Sequence, residues 1–512
     1  MNGDLSRVTF NPLKHFTRVV TQQGRVQTDA DANEQVAILL HYLRTLAADL
    51  IGQHGGPEDS LAGLTRAGAI KRNCGFGIIA ARKSGAVVTY FPSAQALSED
   101  EKEMLQEMIA NNQLPLRITG GHYYVDGLLC ESEKYWRYSQ QPDLWQANDD
   151  RIKKLGNGTY LLYLDVSEHH VTALEDPSIR EVALGGADTG ARTKLVWQVR
   201  VRPEALGSPL PADCKAFDTI WPDIMSKLKP PNRGRLQADA KKDAEADSED
   251  PCISSPEARF RGIENQLYRV EIHKGGPALN RQGANREDAA TFKWSRDNGT
   301  VVAPIERKRG DELIVSGLRD FSRWFAQDNW VEITHDALEL NGVPGTMARV
   351  TQVDGESLTI DSNTASGKIY EPQSKYNDMP VRNLKVRRWD HRQLEDEPLR
   401  GGAILLEEGE WMELEDGVVI RFEPPAKGGV ATEYRTGDYW LIPARVSTGD
   451  VEWPTREVPD PNNANDVITE PEGLPPHGIE HHYAPLATIT LAGGEITAVL
   501  DLRHKFPASA AC

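Results

Sequence analysis

Behind Asp29 the apolar positions Val36, Leu39, Leu40, Leu43, Leu46, Ala47 and Leu50 recur at i, i+3, i+4, i+7, i+10, i+11 and i+14. That spacing lays one apolar stripe along a helix. Asp29, Asp31 and Glu34 fall in its first turn, where they favour the positive end of the helix dipole, and Asp31 with Glu34 has the spacing of a loose capping box. The residues in front, Phe10 to Gln27, are polar and basic with a turn at Gly24 and no apolar core. They read as an extended arm and not as a targeting peptide. A second helix is expected over Ser98 to Asn111, opened by the Ser-x-x-Glu signal of Ser98 and Glu101.

Past Asn157-Gly158 the pattern turns to strands. Tyr160 to Val166 is nearly continuous in apolar residues and predicts a strand buried on both faces. Lys194 to Arg202 alternates and predicts a half-buried one. Asn298-Gly299 between the apolar runs Phe292–Ser295 and Val301–Ile305 is a hairpin signal, because both turn positions need positive φ. Trp330–Ile333, Ala348–Val353 and Ser357–Ile360 predict a small SH3-like or OB-like barrel, about 35 residues being too short to close without neighbours. Leu486–Leu491 and Glu495–Leu502, joined at Gly493-Gly494, are the closing strands. The expected class is mainly β and multi-domain: an α+β N-terminal region with a long amphipathic helix, then antiparallel β units. The segments are 1–52 (docking arm and helix), 53–150 (mixed α/β), 151–202 (β), 203–258 (a polar, Pro-rich insertion or linker), 259–327 (β with hairpin), 328–379 (barrel-like) and 380–512 (C-terminal β).

Length and charge narrow the function classes. At 512 residues the chain is too long for one typical core. Its formal net charge of −18 argues against a nucleic-acid footprint, which needs a basic face. No apolar run approaches the roughly twenty residues of a membrane helix, so no transmembrane segment is expected. The five cysteines show no C-x-x-C spacing; Cys214 and Cys252 flank a polar stretch and could bridge it, but free thiols in a reducing cytoplasm are the expectation.

Candidate chemistry is thin. His477-Gly478-Ile479-Glu480-His481 matches the H-x-x-E-H zinc-protease pattern, whose two histidines must sit one helical turn apart. Pro475, Pro476 and Gly478 forbid the helix, so loop histidines are expected. Gly185 to Gly190 is glycine-rich but lacks the lysine and following helix of a phosphate loop. Trp294, Trp324, Trp330, Trp389, Trp411, Trp440 and Trp453 crowd the second half, as core, interface anchors or sugar platforms. No catalytic residue, cofactor or metal is assigned.

The run Phe10-x-Pro12-x-Lys14-His15, followed by Gln22-Gln23-Gly24-Arg25-Val26-Gln27-x-Asp29-x-Asp31-x-Asn33-Glu34-Gln35, resembles the opening of a family of phage-tail-like proteins associated with bacterial contractile injection systems and prophage tails. Gly262–His273, Phe292–Gly299, Tyr434–Trp440 and Gly478–Tyr483 carry the likeness along most of the chain, while Ala32 stands where the resemblance leads one to expect tryptophan. The resemblance implies a non-catalytic structural component, associated with the baseplate or attaching fibre- or spike-like parts. Its partners would be the other baseplate and tail subunits of the particle, with several copies of this chain in each and no nucleic acid. The chain would be made in the bacterial cytoplasm without a signal peptide, and released and cell-anchored particles both remain open. Docking is expected through Phe10 and Arg25 of the arm and through Val36, Leu39, Leu43, Leu46 and Leu50 of the stripe. The alternatives are a surface-recognition protein binding cell-envelope glycan through exposed tryptophans, and a metal-dependent hydrolase built on His477 and His481.

Overall fold

The apolar run from Tyr160 forms the middle of a 14-residue strand, Gly158–Val171, in which every residue from Thr159 to Ser167 is buried. Arg192–Val201 pairs along one edge and His481–Ala492 along the other, both antiparallel, and Glu495–Asp501 completes this four-stranded sheet. The structure, a computed structural model, describes residues 3–58, 74–143, 150–229, 232–241, 259–279, 287–316, 324–377, 379–392, 399–460 and 463–506. Strand exceeds helix, 41% against 17%, so the class is mainly β, built from several sheets. Among the described residues no helix is long and apolar enough to cross a membrane.

Two further small sheets share the core of the first. One runs in the order 505–506, 54–57, 121–125, 128–132; the other runs 87–91, 78–84, 116–118, 136–137. Phe76, Leu116, Tyr123, Leu162, Trp197 and Ile489 pack into that common core. The helix Glu99–Ala110 starts at Ser98 as expected, with Ser98 Oγ accepting from the Glu101 N–H and Glu101 accepting in return from the Ser98 N–H. A second core lies between a six-stranded sheet (399–400, 403–405, 291–295, 266–274, 439–445, 450–451) and a three-stranded one (236–240, 418–422, 411–415).

The barrel closes with six strands, Val302–Arg309, Glu312–Val315, Ser357–Asp361, Thr346–Asp354, Trp330–Thr334 and Lys385–Trp389, the last returning to the first. The neighbours that complete it therefore come from both sides of 328–379. Asn298 and Gly299 adopt the positive φ values that the pair signals, 50° and 66°. They do not make a hairpin. Thr291–Ser295 pairs with Gln266–Lys274 and Ala403–Leu405, whereas Val302–Arg309 pairs within the barrel, so the turn hands the chain from one sheet to the other.

Within the polar, Pro-rich insertion or linker expected of 203–258, residues 203–229 and 232–241 are described and partly folded onto the sheets. Cys214–Asp218 and Trp221–Leu228 are short helices, and Phe217, Trp221 and Ile224 at i, i+4 and i+7 bury against Leu161, Tyr163 and Leu502. Leu236–Ala240 then pairs with Val418–Phe422. Residues 242–258, and with them the Cys214–Cys252 bridge, lie outside the described residues.

Charge is buried where the six-stranded sheet meets the barrel. Lys293 Nζ lies 2.5 Å from Glu332 Oε2 and 3.2 Å from Glu271 Oε1, and 4.3 Å above the Trp389 ring. Glu332 also accepts from Trp389 Nε1 (3.1 Å) and the Gly345 N–H (3.1 Å). Burial alone would raise the Glu332 carboxyl, but Lys293 and His273 overcome it and hold it well below its ordinary value.

Candidate docking surface

The predicted helix is present as α1, Asp29–Ile51. Its cap differs from the Asp31–Glu34 reading. Thr28 keeps extended backbone, its hydroxyl accepts from the Asp31 N–H (3.3 Å), and Asp31 accepts from the Thr28 N–H (3.2 Å). The capping box thus lies three residues earlier, and Glu34 is left to accept from the Thr9 hydroxyl at 2.5 Å.

That contact is one of several by which the arm lies along α1. Ser6 donates its N–H and its hydroxyl to Asp29 (2.9 and 2.6 Å), which holds the Asp29 carboxyl below the usual carboxylate range. The Val19 N–H donates to Gln35 Oε1 at 2.8 Å, and the Phe10 ring sits 5.8 Å from His41. Asn11 accepts from the Leu13 N–H and caps a single turn, Pro12–Lys14, that ends at His15 with φ 54°. The residues just before the arm reach the Asn298 turn and the end of the strand 439–445. Asn298 Nδ2 donates to the Gly3 carbonyl (2.8 Å), Arg445 donates to the Ser6 carbonyl (3.1 Å), and Arg7 pairs with Glu452 (3.6 Å).

Beneath α1, Ala30 and Ile38 are buried, and Arg44 makes a two-pronged bond to Glu168 at 3.1 and 2.6 Å. Gly127, in the turn of the hairpin Gly121–Val125 and Leu128–Ser132, passes directly under the helix. A Cβ there would meet the Arg44 carbonyl oxygen at 2.1 Å, and φ is +77°. Gly127→Ala is therefore expected to lift α1. The clash with the Arg44 backbone is relieved only when α1 moves, and overpacking of this kind costs about 1–3 kcal/mol, so amide exchange over residues 29–51 should rise about fivefold or more. Unchanged exchange would show that the turn does not support the helix.

The packed face of α1 carries Ala30 and Ile38 together with the polar Gln35 and Arg44. The apolar stripe points the other way. Val36, Leu39, Leu43, Leu46 and Leu50 are between 52% and 78% exposed, and Leu40 and Tyr42 widen the patch. A globular protein ordinarily turns such a stripe inward, and a contiguous apolar surface left in water marks an interaction site. Of the arm residues singled out, Phe10 is half-buried against α1 and Arg25 is exposed beside Gly24, where its N–H closes the turn on the Gln22 carbonyl. Leu13, Phe16, Val20 and Val26 add exposed apolar surface that sequence reasoning had not singled out, because isolated residues in a polar arm carry no periodicity.

The other candidates do not assemble a site. His477 sits in extended chain, its carbonyl accepting from the Tyr439 N–H at 3.1 Å. His481 opens a strand and places Nδ1 2.6 Å from Asp165, while His482 turns to Asp126 at 2.8 Å. The pattern's two histidines therefore lack the helical turn that it requires. Gly185 and Gly186 end a single turn, Val182–Leu184, with no helix behind them. Of the seven tryptophans singled out, Trp294, Trp330, Trp389 and Trp440 are buried, and Trp324, Trp411 and Trp453 are half-buried.

Together these features define a β-rich, multi-sheet protein carrying a surface-laid helix whose apolar side is uncovered. The chain belongs to a family of unknown function, DUF6519, which it matches over residues 1–65, 108–215 and 233–498. No curated protein and no solved structure shows a significant match to it.

Proposed function

We propose that this chain is a non-catalytic structural subunit of a phage-tail-like contractile injection particle, associated with the baseplate or attaching fibre- or spike-like parts to it. The observation that carries the reading is the apolar stripe of α1, turned to solvent on a helix held from below by Gly127 and Glu168 and from the side by the arm. From Val36 to Leu50 the stripe runs about 21 Å, at about 1.5 Å per residue. A neighbouring subunit offering an apolar groove would bury it, and the fixed base would set the orientation of the contact.

Burying one leucine contributes about 1.5–3 kcal/mol, so Leu39→Asp with Leu43→Asp removes about 3–6 kcal/mol from docking. That is about a hundredfold to ten-thousandfold in affinity. Both side chains are already exposed, so the melting temperature of the isolated chain should not move. Expressed with a C-terminal tag in the native host, the parent should copurify with sheath, tube and baseplate proteins, and the doubly changed chain should be found free. Normal incorporation of the variant would overturn the docking role of α1. A parent chain that copurifies with no such proteins would overturn the particle.

A further inference from the structure

Strand His54–Pro57 follows α1 and pairs in parallel with Lys505–Phe506 (Gly56 opposite Lys505, Pro57 opposite Phe506). The helix Cys214–Asp218 ends beside this pair. Three potential donors meet there: one ring nitrogen each from His54 and His504 and a carboxylate oxygen from Asp218, all within 4.8 Å of one another. His504 Nε2 lies 2.9 Å from Asp218 Oδ1, and the two imidazole rings are 5.0 Å apart. His54 is 7% exposed, its Nδ1 is 3.2 Å from the Tyr123 hydroxyl, and Trp221 presents its ring edge-on at 6.5 Å. The same hydroxyl accepts from the His504 N–H at 3.1 Å.

We propose that His54, Asp218 and His504 bind one zinc-class divalent transition-metal ion, through two imidazole nitrogens and one carboxylate oxygen, with water in the fourth position. A His504–Asp218 ion pair accounts for only two of the three groups. It leaves unexplained a buried imidazole facing them whose Nδ1 is tied back by a buried phenol. An outer hydrogen bond on one ring nitrogen is how proteins hold a ligating histidine, and it leaves Nε2 of His54 for the ion. Zinc takes such ligands at about 2.0–2.2 Å in tetrahedral array, so donors on one ion stand about 3.3–3.6 Å apart. Asp218 and His504, whose side chains are 44% and 35% exposed, have room to rotate and close the remaining gap. Imidazole with carboxylate suits zinc, and also cobalt as its spectroscopic substitute, better than the hard calcium or magnesium ions. The ion would staple three segments remote in sequence, and His54 lies just beyond Ile51, so the staple would sit at the root of α1.

The test uses the full chain, stripped with a chelator and titrated with Co²⁺ and then Zn²⁺ at neutral pH. A single equivalent of Co²⁺ should develop visible d–d absorption and be displaced by a single equivalent of Zn²⁺, and zinc should raise the melting temperature. Asp218→Ala and His504→Ala alter partly exposed side chains and should fold. Each should weaken binding on the order of tenfold or more and abolish the thermal gain. Absence of stoichiometric binding by the parent chain would overturn the proposal, and so would binding that both variants retain unchanged.

Discussion

Replacing Lys293 with methionine is expected to cost about 3–5 kcal/mol, the usual consequence of removing one partner from a buried ion cluster. The side chain is 2% exposed and lies between Glu271 and Glu332, which come from different sheets. Methionine keeps the length of the apolar stem, so the loss is one of charge and not of volume. With the ammonium gone, Glu271 keeps Arg269 at 2.6 Å, but Glu332 loses its closest cation and is left buried with His273, Trp389 Nε1 and the Gly345 N–H. The effect should depend on pH in a definite sense. In the parent chain Glu332 is held well below its ordinary value, so its contribution is present above that value and is lost as pH falls. In the variant the Glu332 carboxyl, without Lys293, is pushed upward by burial, and acid relieves it. The gap between parent and variant should therefore narrow on acidification, whereas a pure packing defect would leave it constant. Melting curves across pH, with amide exchange at 291–295 and 330–334 to localise the loss, decide between the two.

Lys385→Met is expected to act with similar size at a different joint. Lys385 Nζ is 2.6 Å from Glu175, in the loop after Gly158–Val171, and 2.8 Å from Glu339, in the short helix Asp336–Glu339, so it ties the end of that long strand to the barrel. Burial would raise the Glu175 carboxyl, but Lys385 and the Thr172 hydroxyl overcome this and bring it from 4.5 down to about 2. At about 1.4 kcal/mol for each pH unit, that is about 3 kcal/mol of stability. It is fully present above pH 4.5 and is lost as pH falls toward 2. Neighbouring Asp336, raised by burial from 3.8 to about 6, acts in the opposite sense at higher pH, so the Glu175 loss is read most cleanly below about 3.8. The parent should show that acid limb and Lys385→Met should not. An identical limb in both would show that Glu175 draws no stability from the lysine.

What the sequence made legible follows from the range of each interaction. Periodicity and caps are local, so α1, the Ser98–Glu101 helix, the doubly buried strand at Tyr160 and three barrel strands could be read directly. Pairing is not local. The strands that close the barrel come from Val302–Arg309 and Lys385–Trp389, and an Asn-Gly turn with the expected dihedrals still separates two sheets because its flanking strands find better partners elsewhere. The stripe of α1 was visible, but which side of the helix faces the body depends on Gly127 and Glu168, far along the chain. Lys293 and Lys385 look like solvated surface in isolation; only their counter-charges, 39 and 210 residues away, permit burial.

The arm's outer anchors carry a consequence for the timing of synthesis. Gly3 is held by Asn298 and Ser6 by Arg445, across 295 and 439 residues of chain. α1 is made well before Asn298 and Arg445 and can form its own hydrogen bonds at once, yet those later residues clamp the chain in front of it. An incomplete chain therefore carries the leucines without the geometry that aims them. Under the docking role proposed for α1, this order disfavours recruitment of unfinished copies.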